Sequence, residues 1–474
     1  MRNKGEEFLT DKSLPPPTLG VNVMVETEVL VVGGGPAGVI SALTAAKMGR
    51  DVILIDAKAH EEIGNKVCGD ALNLAPATFL EEKLGIEKPH GEEVADFVEH
   101  LIFKTTKADF PIRGDGYVLN RHPYGQRLLR TAEEYGVEVR PETKGIKAIT
   151  DADVVKGAVV EDRKNKQTYE IRARITIDCS GRNFQIRKTL PKDGFPFLEK
   201  TMEKRDVAVS YREIIRLKGE DHPYHNKIFL IYRKEIPEPG YFWVFTKGSK
   251  RLNVGIGWFL EPRMRGMKER FWEVLHKYYY PPGSYEVEEK GGYTIPTRYP
   301  MTNAVASGFL TAGDAAFHVN PLSAEGHGPA LTAGYYAGKA TAEAIEVNDV
   351  SEKQLWQYNV DIMKHFGLSH TKVQLFTAAL RRIKVSGVEF LLKRKILNQE
   401  QFVNLHAGKA LGFSEKLTIG IKSFPRYGIL LQLYKILKGA QFFEKLFTEY
   451  PDNPTDYPIW QTQFEKKMEE ARAI

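Results

Sequence analysis

The sequence predicts an α/β fold: a Rossmann-like parallel sheet with its helices, a second unit of antiparallel sheet, and a helical C-terminal region. Three stretches predict it. Thr27 to Gly38 (TEVLVVGGGPAG) reads as a buried strand, a glycine turn and the start of a helix. Asp51 to Asp56 (DVILID) reads as the next parallel strand, ending in an acid. Pro237 to Trp258 reads as two strands joined near Lys247-Gly248-Ser249-Lys250, and beyond about residue 346 the pattern turns helical.

Each element follows from its residues. Val29 to Val32 form the short apolar run that a strand buried on both faces needs. Gly33, Gly35 and Gly38 fit G-x-G-x-x-G. The first allows a sharp turn, the second lets backbone approach a pyrophosphate, and the third lets helix pack on strand. The helix start offers free N–H groups and partial positive charge to phosphates. Asp56 stands about twenty residues on, where a ribose hydroxyl would be held. Ile63 to Asp70 is a glycine loop carrying Cys68 between Lys66 and Asp70; a reactive thiol and a small buried hydrophobe are both open to it. Arg127 precedes the helix Leu128 to Gly136, so the helix dipole does not explain it. A cofactor phosphate or an ion pair would.

Val137 to Val139 reads as a strand, Val154 to Val160 with Thr168 to Ala173 as an antiparallel pair, and Arg174 to Gly181 as a further buried strand in which Cys179 packs. Ala208 to Ile214, which includes Tyr211, is another strand. In the hairpin, period two puts Tyr241, Trp243 and Phe245 on one face, and Asn253, Gly255 and Gly257 share a face on the returning strand. Aromatics beside strand glycines leave a slot for an apolar chain, or simply pack. Gly308 to Asp314 returns to a buried strand, Pro321 to Gly328 is a second glycine loop, and Pro329 to Ile345 is a helix rich in Ala and Gly, suited to close packing.

The chain has 474 residues, a net charge of +6 and two cysteines. Two cysteines exclude a disulfide framework or an iron–sulfur set and suit a reducing cytoplasm. No Lys/Arg run marks a nucleic-acid stripe, and no His/Cys/Asp/Glu spacing marks a metal; His318 and His327 read as polar loop surface. Residues 1–25 read as a flexible tail without a signal sequence, and no apolar run spans a bilayer, so any contact at the inner membrane face is peripheral. The remaining boundaries are a nucleotide-binding domain in two parts, 26–200 and 301–345, an antiparallel substrate domain at 201–300, and a helical region at 346–474. Tyr427 to Gly439 and Gln441 to Tyr450, apolar with interspersed lysines, pack on the body or rest on a membrane.

Taken together these motifs resemble the geranylgeranyl reductase family, within the flavoproteins similar to para-hydroxybenzoate hydroxylase. Gly33-x-Gly35-x-x-Gly38, Asp178-x-Ser180-Gly181 with Arg187, and Gly313-Asp314 with Pro321 are similar to the superfamily's three FAD elements, the second only partly. More specific are Lys66-Val-Cys-Gly-Asp70, which resembles the family's cysteine loop, and Tyr241-x-Trp243-x-Phe245 followed by Gly255-x-Gly257, which resembles the signature Y-x-W-x-F-P…G-x-G. Thr246 replaces its proline, and Ala324-Glu325 stands where relatives are glycine-rich.

The resemblance implies FAD, with Gly33, Gly35, Ala37, Gly38, Asp56, Cys68, Gly69, Arg127, Asp314, Gly326 and His327 as its contacts. The helix following His327 would face the flavin pyrimidine and stabilise charge on the reduced ring. It also implies saturation of isoprenoid double bonds, an isoprenoid lipid as substrate, and an electron donor such as NAD(P)H or ferredoxin. Cys68 is the catalytic candidate, as acid or orienting group, with a water-fed proton as its rival. Tyr211, Tyr241, Trp243, Phe245 and Gly255 are the candidates for binding the chain. An FAD-dependent monooxygenase or halogenase of the same superfamily, and a non-enzymatic flavin- or lipid-binding protein, are the competing readings.

Overall fold

A computed structural model describes residues 24–107, 109–260, 266–394 and 427–473. In chain order the strands are β1 (Met24–Val32), β2 (Val52–Ile55), β3 (Ala71–Asn73), β4 (Val94–Lys104), β5 (Asp109–Leu119), β6 (Glu138–Arg140), β7 (Thr143–Asp151), β8 (Val154–Asp162), β9 (Gln167–Asp178), β10 (Val207–Leu217), β11 (Lys227–Ile231), β12 (Gly240–Thr246), β13 (Arg251–Phe259), β14 (Tyr285–Pro296), β15 (Val305–Ala306) and β16 (Phe309–Thr311). The helices are α1 (Pro36–Lys47), α2 (Leu74–Leu84), α3 (Arg121–Glu134), α4 (Met267–Tyr278), α5 (His327–Glu346), α6 (Glu352–Ile362), α7 (Leu368–Lys393), α8 (Tyr427–Thr448) and α9 (Tyr457–Ala473).

Two sheets carry the molecule. The first runs β15-β16-β9-β1-β2-β6, with β7 and β8 attached to β9. Its centre is parallel: Val29 pairs with Val52 on one side and with Ile175 on the other. Val29, Leu30 and Val31 are wholly buried, as the apolar run requires. The expected strands at 168–173 and 174–181 are one strand, β9. Its first half pairs with β8 while Glu170 to Asp178 pair with β1, so one strand serves both neighbours.

The second sheet runs β14-β10-β13-β12-β11-β4-β5-β3 and is antiparallel except where β11 meets β4. It therefore draws on residues 71–119 as well as the stretch 201–300. Charged, half-exposed strands such as β4 (VADFVEHLIFK) and β14 (YEVEEKGGYTIP) alternate too poorly to be read from sequence. Side chains alternate across it. Tyr211, Phe242, Val254 and Ile256 face α4, where Phe271 and Leu275 cover them. Tyr241, Trp243 and Phe245 face the other way.

Close glycine contacts assemble the first sheet. A Cβ on Gly38 would stand 1.8 Å from the Gly33 carbonyl oxygen, so helix and strand meet with no room for a side chain. Gly334 and Gly338 let α5 lie on α1, where a Cβ would approach the Ala37 and Ser41 carbonyls to 2.6 and 2.4 Å. The Ala/Gly composition of this helix has that use. The two lysine-bearing stretches near the C-terminus form one helix, α8, that packs on α7 and α9 through buried Phe443 and Leu446 while Leu431 and Tyr434 stay exposed. Among the described residues no helix is long and apolar enough to cross a membrane. The tail expected at 1–25 lies outside the described residues up to position 23, and Met24 and Val25 already belong to β1.

Gly38→Ala is expected to cost about 3 kcal/mol through overpacking of backbone on backbone. Denaturant melts check the stability, and visible flavin absorbance of the purified protein should be largely lost.

Candidate functional site

The three sequence elements that resemble FAD motifs converge. A Cβ on Gly33, whose φ is 108°, would lie 2.4 Å from the Cys179 carbonyl oxygen, which brings the second element to the first. A Cβ on Gly313 would lie 3.0 Å from Cβ of Ala37, which brings the third. Asp178 and Arg187 serve structure. The Asp178 carboxylate accepts backbone N–H groups of Ser180, Ile186 and Arg187, and the fully buried Arg187 donates to the Ala315 carbonyl at 2.7 Å.

Around this junction the residues fit a dinucleotide. Gly35 caps α1 without a side-chain hydrogen bond and faces open space, so the helix's first N–H groups remain available to phosphate. Asp56 directly follows β2 and accepts from Gly34 N–H at 2.7 Å, which aims the carboxylate at the turn. His327 is buried at the start of α5 with Nδ1 unpartnered, and burial, then the charges of Arg121 and Lys66, hold it well below its ordinary pKa. A neutral imidazole beside two cations is a place prepared for an anion. His318 is buried as well, with Nδ1 accepting from Gly313 N–H, so neither histidine is loop surface. Among the described residues there is no cluster that could hold a metal.

Arg127 takes the ion-pair alternative. Its guanidinium binds the Glu93 carboxylate through Nε at 2.5 Å and Nη2 at 3.0 Å, and the Glu87 carbonyl as well. The cation that turns inward is Arg121, 9 % exposed, with no carboxylate partner among the described residues. It lies one residue into α3 at the end of a strand, and that position was its only sequence signal.

The Cys68 loop joins the two sheets. At one end Lys66 reaches Asp314 at 2.8 Å and lies over the Tyr293 ring; burial pulls its pKa down, but the charge and hydrogen bond of Asp314 together with Tyr293 leave it raised. A Cβ on Gly326 would stand 3.5 Å from the same Asp314 carboxylate. At the other end Asp70, in the left-handed region at φ 69°, binds Lys247 at 3.1 Å and the Asn253 amide at 3.0 Å. Asn253 also donates to the Cys68 carbonyl at 2.8 Å and accepts from the Trp243 indole at 3.0 Å. Neither Asn253 nor Lys247 stood out in the sequence beyond its place in a strand or turn.

An apolar cavity opens on the face of the second sheet that carries Tyr241 and Trp243. Tyr241, Trp243, Trp258, Phe103 and Phe376 line it, with Pro321, Leu322 and Ala324 from the second glycine loop. The Tyr241 hydroxyl donates to the Ser323 carbonyl at 2.9 Å, so the aromatic wall is fastened to that loop. Burial, and then the nearby Cys68 thiol, push the Tyr241 phenol up.

Three of the expected chain contacts lie elsewhere. Tyr211 is on the far face, 5.2 Å from the Phe271 ring, with its hydroxyl on Glu213, because its strand parity opposes that of Trp243. Phe245 packs on Gly69, where a Cβ would meet its ring at 2.6 Å. The space over Gly255 is filled by the Trp243 indole itself, 2.1 Å from where a Cβ would sit. The strand glycine makes a bed for the wall rather than a slot beside it.

Glu325 caps the start of α5 by accepting from Gly328 N–H at 2.8 Å. Burial pushes its carboxyl up from 4.5 to about 7, with that N–H pulling the other way.

The chain matches the family model for FAD dependent oxidoreductases over residues 28–183. It is 29 % identical to a digeranylgeranylglycerophospholipid reductase of Sulfolobus acidocaldarius, covering 94 % of this chain and 97 % of the relative. It is 31 % identical to digeranylgeranylglycerophospholipid reductase 2 of Methanopyrus kandleri, covering 87 % and 100 %. Among solved structures it is similar to a geranylgeranyl bacteriochlorophyll reductase-like protein of Thermoplasma acidophilum, with a TM-score of 0.71 at 21 % identity over 87 % of this chain and all of that one. A myxobacterial chondrochloren halogenase shares the fold with a TM-score of 0.63 at 17 % identity, over 88 % and 97 %.

A carboxyl whose pKa is raised on folding charges the folded state an ionisation penalty. That penalty is absent below the unfolded pKa, grows as pH climbs from 4.5 towards 7, and is constant above. Glu325→Gln should therefore stabilise the protein by roughly 1–3 kcal/mol at pH 8 and leave it nearly unchanged at pH 4. Chemical denaturation at both pH values checks the sign.

Proposed function

Because the chain belongs to the digeranylgeranylglycerophospholipid reductase family, we propose that it is an FAD-dependent reductase that saturates the isoprenoid C=C bonds of geranylgeranyl chains on archaeal-type membrane glycerophospholipids. One observation carries the reading: the aromatic wall of an apolar cavity is hydrogen-bonded, through Tyr241 and Ser323, to the loop that carries the third FAD element.

An isolated alkene is a poor hydride acceptor, so the site must align it and keep water out. Bound FAD, when reduced, supplies hydride from N5. Tyr241 and Trp243 hold the chain in the cavity and exclude solvent. Cys68 holds a proton at Sγ or orients the water that brings one, and protonation at the second alkene carbon completes the saturation. The Gly33–Gly38 turn, Ala37 and Asp56 hold the dinucleotide, and Lys66, Arg121, Asp314, Gly326 and His327 surround the rest of it. A reducing partner of the NAD(P)H or ferredoxin class delivers the electrons. Peripheral membrane contact belongs to the same reading, since α8 exposes Leu431 and Tyr434 near Lys435 and Lys438.

Anaerobic incubation of the reduced holoprotein with a geranylgeranyl phospholipid should add hydrogen pairs to the lipid, seen by mass spectrometry. An unchanged lipid mass together with productive oxygen consumption on a ring substrate would favour a monooxygenase instead. Trp243→Ala should raise KM for lipid about tenfold with FAD retained. Tyr211→Phe should leave KM unaltered and cost about 1 kcal/mol of stability through the lost hydrogen bond to Glu213, which keeps the Trp272 indole as donor. Cys68→Ser should lower kcat at saturating reductant by about 10²-fold; turnover equal to wild type would leave water as the proton source.

A further inference from the structure

Asn253 is wholly buried on β13, and its side chain has a partner on every side. The amide NH₂ donates to the Cys68 carbonyl at 2.8 Å and to the Asp70 carboxylate at 3.0 Å. Its oxygen accepts from the Trp243 indole at 3.0 Å. These partners allow one orientation only, since a carbonyl and a carboxylate cannot donate and an indole N–H cannot accept. No acid or hydroxyl residue supplies two donors and an acceptor in this shape. The amide thus joins two parts 185 residues apart in sequence: the wall of the cavity and the backbone of the cysteine loop.

We propose that Asn253 is a positioning residue, which holds the Cys68 backbone at a set distance from the Trp243 ring and thereby selects the point on an isoprenoid chain at which reduction occurs. This rests on the reductase reading above. The neighbouring contacts run the same way. Phe245 of the wall packs on Gly69 of the loop, and Lys247 holds Asp70 from the turn beyond. Trp243 is itself seated on Gly255, so its ring has no freedom to follow a displaced loop. Without Asn253 the loop keeps its two anchored ends, and the Cys68 backbone between them would shift against a stationary wall.

The test uses the FAD-loaded protein and two readouts. The first is alkylation of Cys68 by iodoacetamide, followed by peptide mass spectrometry; Cys179 is buried and serves as the internal control. The second is the distribution of partly reduced lipids from a geranylgeranyl phospholipid. Asn253→Leu and Asn253→Asp should each raise Cys68 alkylation about fivefold, the scale of one lost hydrogen bond, with FAD retained. Both should spread reduction over more positions on the chain. Trp243→Phe frees only the wall end, so it should spread the products while alkylation stays within about twofold of wild type. If Asn253→Leu does not fold, Asn253→Asp, which keeps the shape and the indole's acceptor, carries the test. Unchanged alkylation in the Asn253 variants overturns the tether. Products that all fall in common proportion overturn the selection of position. A wild-type protein that reduces no lipid overturns the reductase reading, while alkylation still reports the tether.

Discussion

The buried ion pair between Lys247 and Asp70 is the constraint on which the site depends. Both side chains are almost wholly out of water, at 2 % and 4 % exposure. Such a pair gains little over apolar packing, but either charge left alone would be costly. Asp70 also sits in the left-handed backbone region, which is uncommon for any residue but glycine. A residue in that state persists only when its surroundings over-determine it. Here Lys247, Asn253 and the Leu119 N–H, which donates to the Asp70 carbonyl at 2.8 Å, supply that determination. They come from β12–β13 and β5, so the cysteine loop is locked to the second sheet. Lys66 and Asp314 lock its other end to the first.

With the loop held at both ends, the junction between sheets becomes a place where chemistry can be organised. The nucleotide side offers helix starts, a neutral histidine and unpaired positive charge. The sheet side offers an aromatic wall with few polar groups. The separation follows from strand parity. One face of the antiparallel sheet is filled by α4, and the other keeps its tyrosine and tryptophan for the cavity. Glycines decide how closely these parts approach, at Gly38 for the helix, at Gly69 for Phe245 and at Gly255 for Trp243.

Similarity to halogenases and to a reductase-like protein at comparable TM-scores shows that the scaffold is shared among different chemistries. The site is therefore read from local features of this chain: a cysteine loop, an aromatic hairpin, and the buried carboxyl of Glu325 at the start of α5.

The sequence by itself determined the nucleotide turn, the acid after β2, the hairpin at residues 237–258, the close-packed helix α5 and the family resemblance, because each is written in contiguous residues with a period or a required glycine. It also showed which aromatics share a face. It did not show which of them meet the cavity. Tyr211 and Trp243 look alike as strand aromatics, and only the pairing of β10 with β13 sets them on opposite faces. Arg127 and Arg121 are both arginines near one helix start, and only Glu93, distant in sequence, decides which is paired. The amide that ties Cys68 to Trp243 is 185 residues from its cysteine. A hydrogen bond over that separation has no local signature; it exists because two sheets close on one loop.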